Sequence, residues 1–194
     1  EVILNLYLKY GVDSFVKLDG MYAFSIYDKR LKKIFITRDF FGEKPLYYSI
    51  LDGGLIWGSE LKSLVSQLES KPQISNKALH LYFSLTYIPA PYTIYDGVNK
   101  LEPNTYIDYD IKKKKYRLIN INQDEYVDPF KGSFEDAKSK TKILIENSVN
   151  SRSVSDVPIG TFLSGGVDSS IVSYCLSKNS EQRIEPQYNT LVTE

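Results

Sequence analysis

The stretch that decides the fold is residues 157–176, which read VPIGTFLSGGVDSSIVSYCL. Its first part is an apolar run of the kind found in buried parallel strands, and its last part places apolar side chains at helical spacing. Two glycines and three serines lie between and beside them, within residues 164–170. A glycine loop that opens a helix brings backbone N–H groups and hydroxyls to one spot. The stretch therefore predicts a strand, loop and helix unit of an α/β fold with a phosphate-binding loop.

Asp168 sets this loop apart from other phosphate loops. A Walker A loop needs a lysine after its last glycine, whereas Val167 follows Gly166 here. A carboxylate beside a polyphosphate is unfavourable unless it holds a cation or orients a hydroxyl. The alternative is a purely structural glycine turn, in which Asp168 only complements the helix dipole. Because the pattern arises by chance with a probability on the order of 10⁻⁴, we favour the functional interpretation.

The composition of the 194-residue chain is that of an ordinary globular protein, with 42% hydrophobic and 25% charged residues. Its length fits one complete domain or two incomplete ones. The 24 basic and 24 acidic side chains cancel, so no basic surface for nucleic acid is expected. No apolar run reaches the length of a membrane span. We expect a cytoplasmic protein with no nucleic-acid partner and no membrane association.

The chain has one cysteine, Cys175, one histidine, His80, and one methionine, Met21. A single cysteine excludes an internal disulfide and favours a reducing compartment. With no second thiol or imidazole nearby, a zinc site is not expected. Met21 lies inside a strand-like run, so we expect the chain to be a piece of a longer protein.

Upstream of the glycine loop, short apolar runs predict an antiparallel sheet. Residues 1–10 have helical spacing, and Gly11 stands where a C-cap belongs. Residues 15–27 read as a strand without a strongly polar face, which predicts cover on both sides. Further strands are predicted at 33–37, 46–48 and 55–57, with a turn at 52–54.

The remaining predicted elements are three helices, a lysine-rich hairpin tip and a linker. Helices are predicted at 59–68, 75–85 and 133–149, and Ser133 with Asp136 forms a capping-box pattern in the last of them. The lysines at 112–115 are typical of a solvated hairpin tip. Residues 128–132 have the composition of a linker. We therefore place a domain boundary at about residue 130.

Residues 164–170 closely resemble the pyrophosphate-binding loop of the N-type ATP pyrophosphatases, which cleave ATP to AMP and pyrophosphate while adenylating a substrate. Residues 155–160, SDVPIG, resemble the start of the synthetase domain of glutamine-hydrolysing asparagine synthetases. Segments similar to the same family follow one another in the same order upstream: LDGMYAF at 18–24, TRD at 37–39, Gly42, KPLYY at 44–48, SELK at 59–62, YIPAP at 87–91 and GVNKL at 97–101. The resemblance covers nearly the whole chain. One departure is Asn104, which stands at a turn position where the family usually has glycine.

The resemblance implies two part-domains, α+β followed by α/β. Residues 1–130 correspond to the C-terminal part of a glutaminase domain with its joining segment, a truncated N-terminal-nucleophile hydrolase sandwich of two antiparallel sheets. Residues 131–194 correspond to the first strand, loop and helix of an ATP pyrophosphatase (PP-loop) domain. The family's nucleophile is an N-terminal cysteine that this chain lacks, so no catalytic residue is assigned and the isolated chain is expected to be inactive. Cys175 is expected to be a small buried side chain.

The resemblance also assigns binding residues. Asp19 corresponds to the carboxylate that holds the α-ammonium group of glutamine; the alternative is a structural role at a turn or strand end. ATP is expected at Leu163, Ser164, Gly165, Gly166, Asp168, Ser169 and Ser170, with Mg²⁺ bridging its phosphates and Asp168 as a candidate metal ligand. Arg38, Asp39 and Glu60 match family positions, and their role stays open between function and structural ion pairing.

The reaction implied is a ligase reaction, the ATP-dependent synthesis of asparagine. Aspartate attacks ATP to give β-aspartyl-AMP and pyrophosphate, and ammonia from glutamine then displaces AMP. The implied substrates are glutamine, aspartate and ATP, and a homodimer is a candidate assembly. Two alternatives stay open: an amidotransferase or cyclase of the same plan, such as a β-lactam synthetase, acting on another carboxylate, and a non-catalytic scaffold. The acceptor pocket that separates them is expected beyond Glu194.

Overall fold

A computed structural model describes residues 1–51, 54–122 and 128–179. Contacts divide the chain into two compact units, Glu1–Glu125 and Tyr126–Glu194. In chain order, the elements of the first unit are α1 (Val2–Tyr10), a 3₁₀ helix (Gly11–Lys17), β1 (Ala23–Asp28), β2 (Lys33–Arg38), β3 (Tyr47–Leu51), β4 (Gly54–Gly58), α2 (Leu61–Val65), α3 (Asn76–Leu85), β5 (Val98–Lys100), β6 (Thr105–Asp110) and β7 (Lys115–Asn120). The described elements of the second unit are α4 (Phe134–Arg152) and α5 (Val167–Asn179).

The strands of the first unit form two antiparallel sheets. Four strands in the order β1-β2-β6-β7 make the larger sheet, and three in the order β4-β3-β5 make the smaller one. Every neighbouring pair is antiparallel. The α+β class and the antiparallel pairing predicted for this part of the sequence are therefore confirmed.

The two sheets pack on each other through an apolar core. Successive side chains of a strand point to opposite faces, and β2 buries both of its faces. Ile36 joins a cluster with residues of both sheets, including Tyr48 and Ile107. Phe35, on the other face, packs with Tyr7 and Phe15, which come from α1 and the 3₁₀ helix. The first unit is thus a two-sheet sandwich with helical turns over the outer face of the larger sheet.

The strand predicted at residues 15–27 is wrong over its first half. Gly11, at φ 60°, ends α1, and the chain continues as the 3₁₀ helix with the Ser14 hydroxyl donating to the Gly11 carbonyl at 2.6 Å. Phe15 is 1% exposed, so its apolar side chain anchors a helical turn and not a strand. β1 begins only at residue 23, and as the edge strand of its sheet it leaves Ser25 and Tyr27 exposed. The prediction of cover on both sides is therefore also wrong for this strand.

The predicted helices are confirmed with shifted ends. α4 begins after Ser133, whose hydroxyl accepts from the Asp136 N–H while the Asp136 carboxylate accepts from the Ser133 N–H, so the capping box is present. Ser75 is the N-cap of α3, but its side chain makes no capping hydrogen bond. α2 is shorter than predicted and follows Glu60, not a serine. Lysines 112–114 lie in the exposed turn between β6 and β7, as the hairpin prediction requires. The turn predicted at 52–54 lies mostly outside the described residues.

Residues 157–163 do not form the predicted parallel strand. They are extended or irregular and run directly into the glycine loop before α5. A parallel strand takes its backbone hydrogen bonds from neighbouring strands, and the described residues of the second unit contain no strand to supply them. Apolar side chains of this run are therefore left exposed; the side chain of Phe162 is 88% exposed.

A buried carboxylate ties α1 to the end of β1. Asp28 accepts from the Tyr7 hydroxyl at 3.0 Å and from the backbone N–H groups of Arg30 and Leu31 at 2.8 and 3.0 Å. The hydrogen bond from Leu31, with further ones from Arg30 and Tyr7, lowers the pKa of Asp28 to about 2. Burial and the Asp28 carboxylate raise the pKa of Tyr7 to about 12. The ionised form of Asp28 is thus the one that the fold stabilises.

Acid is expected to weaken this part of the fold. The pKa of Asp28 is lower in the folded chain than its ordinary value of 3.8, so its contribution is complete above about pH 4 and is lost as the pH falls towards about 2. In Asp28→Asn, the stability of the fold should fall less steeply as the pH is lowered. The measurement is the unfolding temperature at a series of pH values from neutral to acid. Asp96→Asn, at an exposed position, is the control, and its unfolding temperature should depend on pH as that of the wild type does. A wild-type slope in Asp28→Asn would contradict the assignment.

Candidate functional site

A cleft of about 340 Å³ opens at one end of the first unit. Its lining comes from α1, the start of β1, the loop after β2 and the residue after β4: Ile3, Met21, Tyr22, Ala23, Phe24, Lys44, Pro45 and Ser59. Asp19 precedes this lining by two residues, in the loop between the 3₁₀ helix and β1, and it is exposed. Asp19 does not line this concave surface, which is large enough for a small ligand, but it is two residues from Met21 along the chain.

Asp39 is completely buried directly after β2. Its carboxylate accepts from the backbone N–H groups of Glu43 at 2.8 Å and Lys44 at 3.0 Å. Its own N–H donates to the Tyr22 carbonyl at 2.9 Å. Burial raises the pKa of the Asp39 carboxyl, but backbone hydrogen bonds and the nearby Arg38 guanidinium outweigh burial and hold it below its ordinary value. Asp39 is therefore a buried anion held chiefly by backbone groups.

Arg38 is also held by the backbone. Its guanidinium donates to the Leu101 carbonyl at 2.7 Å and to the Gly42 carbonyl, while Nε is buried without a hydrogen-bond partner among the described residues. Gly42 has φ 67°, and a Cβ there would lie 2.6 Å from a guanidinium nitrogen. The Asp39 carboxylate thus binds the loop after β2, whereas the Arg38 guanidinium binds both that loop, at Gly42, and the Leu101 carbonyl after β5. Glu60, the third residue left open, is the exposed N-cap of α2.

The glycine loop of the second unit leads directly into α5. Gly165 has φ 81°, a conformation that glycine adopts without strain. The Gly166 carbonyl accepts the first helical hydrogen bond, from the Ser170 N–H at 3.1 Å. The N–H groups of the first turn have no partner within the helix itself. A cavity of about 340 Å³ lies at this helix end, lined by Gly165, Gly166, Val167, Ser170, Ile171 and Tyr174.

Hydroxyl groups close the loop on itself. The Ser164 and Ser169 hydroxyls lie 3.0 Å apart, and the Ser164 N–H donates to the Ser169 hydroxyl at 3.3 Å. The Ser169 and Ser170 hydroxyls donate to the Gly166 carbonyl at 3.1 and 2.8 Å. The structure therefore brings the three predicted serines together at the N-terminus of α5.

Asp168 lies in the first turn of α5 and is exposed. Within the described residues its carboxylate has no hydrogen-bond or ion-pair partner. A carboxylate here complements the helix dipole and is also free to bind a cation held at the loop. Leu163, 53% exposed, supplies the backbone just before the loop.

One contact of this site was missed by the sequence analysis. The Ser173 hydroxyl on α5 donates to the Thr161 hydroxyl at 3.0 Å. This hydrogen bond joins the segment before the loop to the helix after it. Two hydroxyl residues twelve positions apart form no recognisable pattern, so the sequence offers no signal for it.

Cys175 lies on α5 at 5% exposure, as expected for a small apolar side chain, and His80 is exposed. Within the ranges that the structure describes, no three His, Cys, Asp or Glu side chains cluster closely enough to hold a metal ion. None of the helices in those ranges combines the length and apolar composition that crossing a membrane requires.

Comparison with known proteins gives matches to both units. Residues 1–120 match the family model of the glutamine amidotransferase domain, and residues 140–190 match that of asparagine synthase. A Methanocaldococcus jannaschii protein with the provisional name glutamine-hydrolysing asparagine synthetase 2 is 40% identical over 176 residues, which is 89% of this chain. The glutamine-hydrolysing asparagine synthetase 1 of Bacillus subtilis is 36% identical over 89% of the chain, and that of Rattus norvegicus is 32% identical over 96%.

The chain spans only 34%, 27% and 32% of the lengths of these three relatives. The amidotransferase match nevertheless covers more than half of the chain, residues 1–120 of 194. It covers the two antiparallel sheets and the residues that line the cleft of the first unit. On this evidence, the chain belongs to the glutamine amidotransferase domain family.

Proposed function

We propose that this chain is part of a glutamine-hydrolysing asparagine synthetase, a ligase that makes asparagine from aspartate, ATP and the ammonia of glutamine. One observation carries the proposal: an amidotransferase unit and a serine-glycine phosphate loop follow each other in a single chain. An amidotransferase alone needs no phosphate loop. Ammonia release coupled to adenylation of an acceptor needs both.

The domain assignment belongs to the same proposal. Residues 1–130 are the C-terminal part of the glutaminase domain with its joining segment, and residues 131–194 are the start of the ATP-binding domain. The division of the contacts between residues 125 and 126 and the two family matches support it. We propose a cytoplasmic enzyme that forms a homodimer and takes small-molecule substrates, without nucleic-acid or membrane partners.

In the first unit, Asp19 binds the α-ammonium group of glutamine. An ionised carboxylate that pairs with an ammonium forms a charge-assisted hydrogen bond, stronger than a neutral one. The exposure of Asp19 and its place two residues before Met21, which lines the cleft, support this role. Because added ammonium does not need this site, Asp19 serves only the reaction from glutamine.

In the second unit, ATP binds at Leu163, Ser164, Gly165, Gly166, Asp168, Ser169 and Ser170. The unpaired N–H groups at the start of α5 are donors for the phosphate oxygens. The serine hydroxyls become donors to phosphate when they turn away from the Gly166 carbonyl and from each other. Donors that are already in place stabilise the charge that develops on the departing pyrophosphate. The hydrogen bond between the Ser164 and Ser169 hydroxyls, and those from the Ser169 and Ser170 hydroxyls to the Gly166 carbonyl, support this role, because they fix the loop before a ligand binds.

Mg²⁺ fits the donor set of this loop. Magnesium prefers oxygen ligands and is usually bound through one or two carboxylates together with substrate phosphates. Asp168 supplies a carboxylate with no partner among the described residues, and it would hold the ion together with the phosphates. When bound, Mg²⁺ neutralises negative charge on those phosphates.

The chemistry is two displacements. A side-chain carboxylate oxygen of aspartate attacks the α-phosphorus of ATP, the bond to the β-phosphate oxygen breaks, and β-aspartyl-AMP and pyrophosphate result. Ammonia then attacks the acyl carbon, AMP leaves, and one proton is released. The loop residues of this chain act in the first displacement.

The full-length enzyme is expected to form asparagine, AMP and pyrophosphate in equal amounts from aspartate, ATP and either glutamine or ammonium. Product analysis by chromatography with aspartate, glutamate and other carboxylates as acceptors tests the proposal. Turnover of another carboxylate in place of aspartate would identify a related amidotransferase or cyclase. ADP in place of AMP, or no turnover with any acceptor, would overturn the proposal, the second result favouring a non-catalytic scaffold.

A further inference from the structure

We propose that two adjacent hairpin turns of the first unit form a docking surface for an acidic segment of a partner protein. The turns are residues 29–32, between β1 and β2, and residues 111–114, between β6 and β7. Together with Lys115 they are referred to below as the lysine surface. The inference is independent of the proposed function, because it uses neither the cleft nor the glycine loop.

The two turns are far apart in the sequence but adjacent in the structure. β2 pairs with both β1 and β6, and Lys33 is the partner of Asp28 on one side and of Asp110 on the other. Both hairpins therefore turn at the same end of the larger sheet. The Ile111 N–H donates to the Lys32 carbonyl at 3.1 Å, which joins one turn to the other.

This end of the sheet is strongly basic, although the whole chain has no net charge. Residues 28–33 read DKRLKK, and residues 110–115 read DIKKKK. Eight basic side chains against two carboxylates leave a net charge of +6. The lysines at 112–115 alone are typical of a solvated turn. The second turn beside them doubles the basic charge at one place, and a local field of this kind attracts anionic partners.

The free cations of this surface are lysines. Arg30 is paired with the Asp28 carboxylate at 3.3 Å, and the Lys113 ammonium lies 3.9 Å from the carboxylate of Asp110. In the part of the chain that the structure describes, five further lysines have no carboxylate partner, and all of them are exposed: Lys29, Lys32, Lys112, Lys114 and Lys115. Their charge is therefore available to a partner.

Each turn holds one lysine in a backbone conformation that disfavours it. Lys32 has φ 54° and Lys114 has φ 51°, in the left-handed region that glycine adopts without strain. Each of these lysines directly precedes a strand, where glycine would complete the hairpin more easily. The lysines thus weaken the turns, and a requirement for charge at these two positions explains their presence.

The partner that fits these cations is a polypeptide with several carboxylates. A lysine ammonium is a compact point charge, whereas phosphate recognition favours the planar fork of arginine. The arginine of these turns already holds a carboxylate. Between the lysines, Leu31 is 58% exposed and Ile111 is 37% exposed. Apolar side chains of a protein partner can cover them, whereas a phosphate backbone cannot. A lipid surface would need a broader apolar face than one side chain in each turn.

The lysine surface and the cleft lie at opposite ends of β1. Ala23, the first residue of β1, lines the cleft. Asp28, the last residue of the strand, leads into the first turn. A strand of this length spans about 17 Å. A partner on the lysine surface therefore leaves the cleft open, and its binding can be measured separately from asparagine synthesis.

The test is the binding of a fluorescein-labelled peptide of about ten glutamates to the full-length protein, measured by fluorescence anisotropy. The variant combines Lys29→Gln, Lys32→Gln, Lys112→Gln and Lys114→Gln. We expect its dissociation constant to be about tenfold higher than that of the wild type, because each exposed ion pair contributes only a small factor and four are removed. Added salt should weaken binding to the wild type, because it screens exposed charges.

The matched control removes four exposed lysines of the same unit that lie outside the two turns: Lys17→Gln, Lys62→Gln, Lys71→Gln and Lys77→Gln. The net charge changes equally, and binding should stay as in the wild type. Equal weakening in both variants would show attraction by overall charge and overturn the inference. No binding of the peptide, or tighter binding of an oligouridylate or of phosphatidylserine vesicles, would also overturn it.

Lys32→Gly combined with Lys114→Gly separates docking from a role in the turns alone. Glycine relieves the left-handed backbone, so the unfolding temperature should rise while binding of the glutamate peptide weakens. Unchanged binding in this variant would overturn the inference. Asparagine synthesis should be as in the wild type in all three variants. A wild-type enzyme that binds the peptide but makes no asparagine would contradict the proposed function and support the docking surface.

Discussion

Asp19→Ala in the full-length enzyme is expected to suppress asparagine formation from glutamine and to leave formation from ammonium at the wild-type rate. The α-ammonium group of glutamine loses its carboxylate here, and a hydrogen bond to a charged group is worth about 1.5–3 kcal/mol, or roughly 10- to 100-fold in affinity. Ammonium enters after glutamine hydrolysis, so it bypasses the loss. The measurement is the rate of asparagine formation with each nitrogen source at saturating aspartate and ATP.

Asp13→Ala serves as the control for this variant. Asp13 is an exposed aspartate of the 3₁₀ helix, six residues before Asp19, and its loss should change neither rate. Circular dichroism and thermal unfolding establish that both variants fold. If Asp19→Ala lost the ammonium reaction as well, or kept the glutamine reaction, the carboxylate would not be the glutamine ligand.

The central strand β2 could be predicted from the sequence. β2 lies between two neighbouring strands and buries Phe35 and Ile36 on opposite faces. Because both faces are buried, consecutive residues of the strand are apolar. Residues 15–22 also include several apolar side chains, but they form the end of the 3₁₀ helix and the loop after it, not a strand. Phe15 reaches the core from a 3₁₀ helix, which follows the turn at Gly11 with its φ of 60°.

The strand predicted at 157–163 failed for another reason. An apolar composition indicates that a segment can be buried, but a strand also needs neighbouring strands to which its backbone can hydrogen-bond. The described residues of the second unit provide none. The helix and the loop that follow were predicted correctly, because the capping of α5 by Gly166 and the serine hydrogen bonds are local.

The same difference between local and distant contacts divides the candidate sites. The glycine loop can be recognised from seven consecutive residues of the sequence, and the structure brings its three serines together. The backbone of the buried Asp39, by contrast, has distant partners: its N–H donates to the Tyr22 carbonyl at 2.9 Å, and its carbonyl accepts from the Asn104 N–H at 3.1 Å. These partners are backbone groups, so any residue type could supply them and no sequence pattern marks them. The contacts of Asp39 with Tyr22 and Asn104 therefore become visible only in three dimensions.

Asp168→Ala in the full-length enzyme is expected to suppress asparagine formation from glutamine and from ammonium alike. Asp168 stands in the first turn of α5 beside the loop that binds ATP, and its carboxylate is available to a metal ion on the phosphates. Both nitrogen sources need the adenylated acceptor. Removing one preorganised contact to a charged transition state typically costs on the order of 10² to 10³ in rate. Pyrophosphate release from ATP and aspartate, measured without any nitrogen source, should fall by the same factor.

The control for Asp168→Ala is Asp128→Ala, at an exposed aspartate in the same unit but outside the loop. It should retain both reactions, and circular dichroism should show the wild-type helix content for both variants. If Asp168 acts only on the helix dipole, Asp168→Ala would lower the unfolding midpoint slightly and leave pyrophosphate release intact. If it binds the metal, raising the Mg²⁺ concentration should restore part of the lost rate, because a weakened site fills at higher metal concentration. Full activity of Asp168→Ala at limiting Mg²⁺ would therefore rule out the carboxylate as a ligand and leave the serines and backbone N–H groups as the whole of the phosphate site.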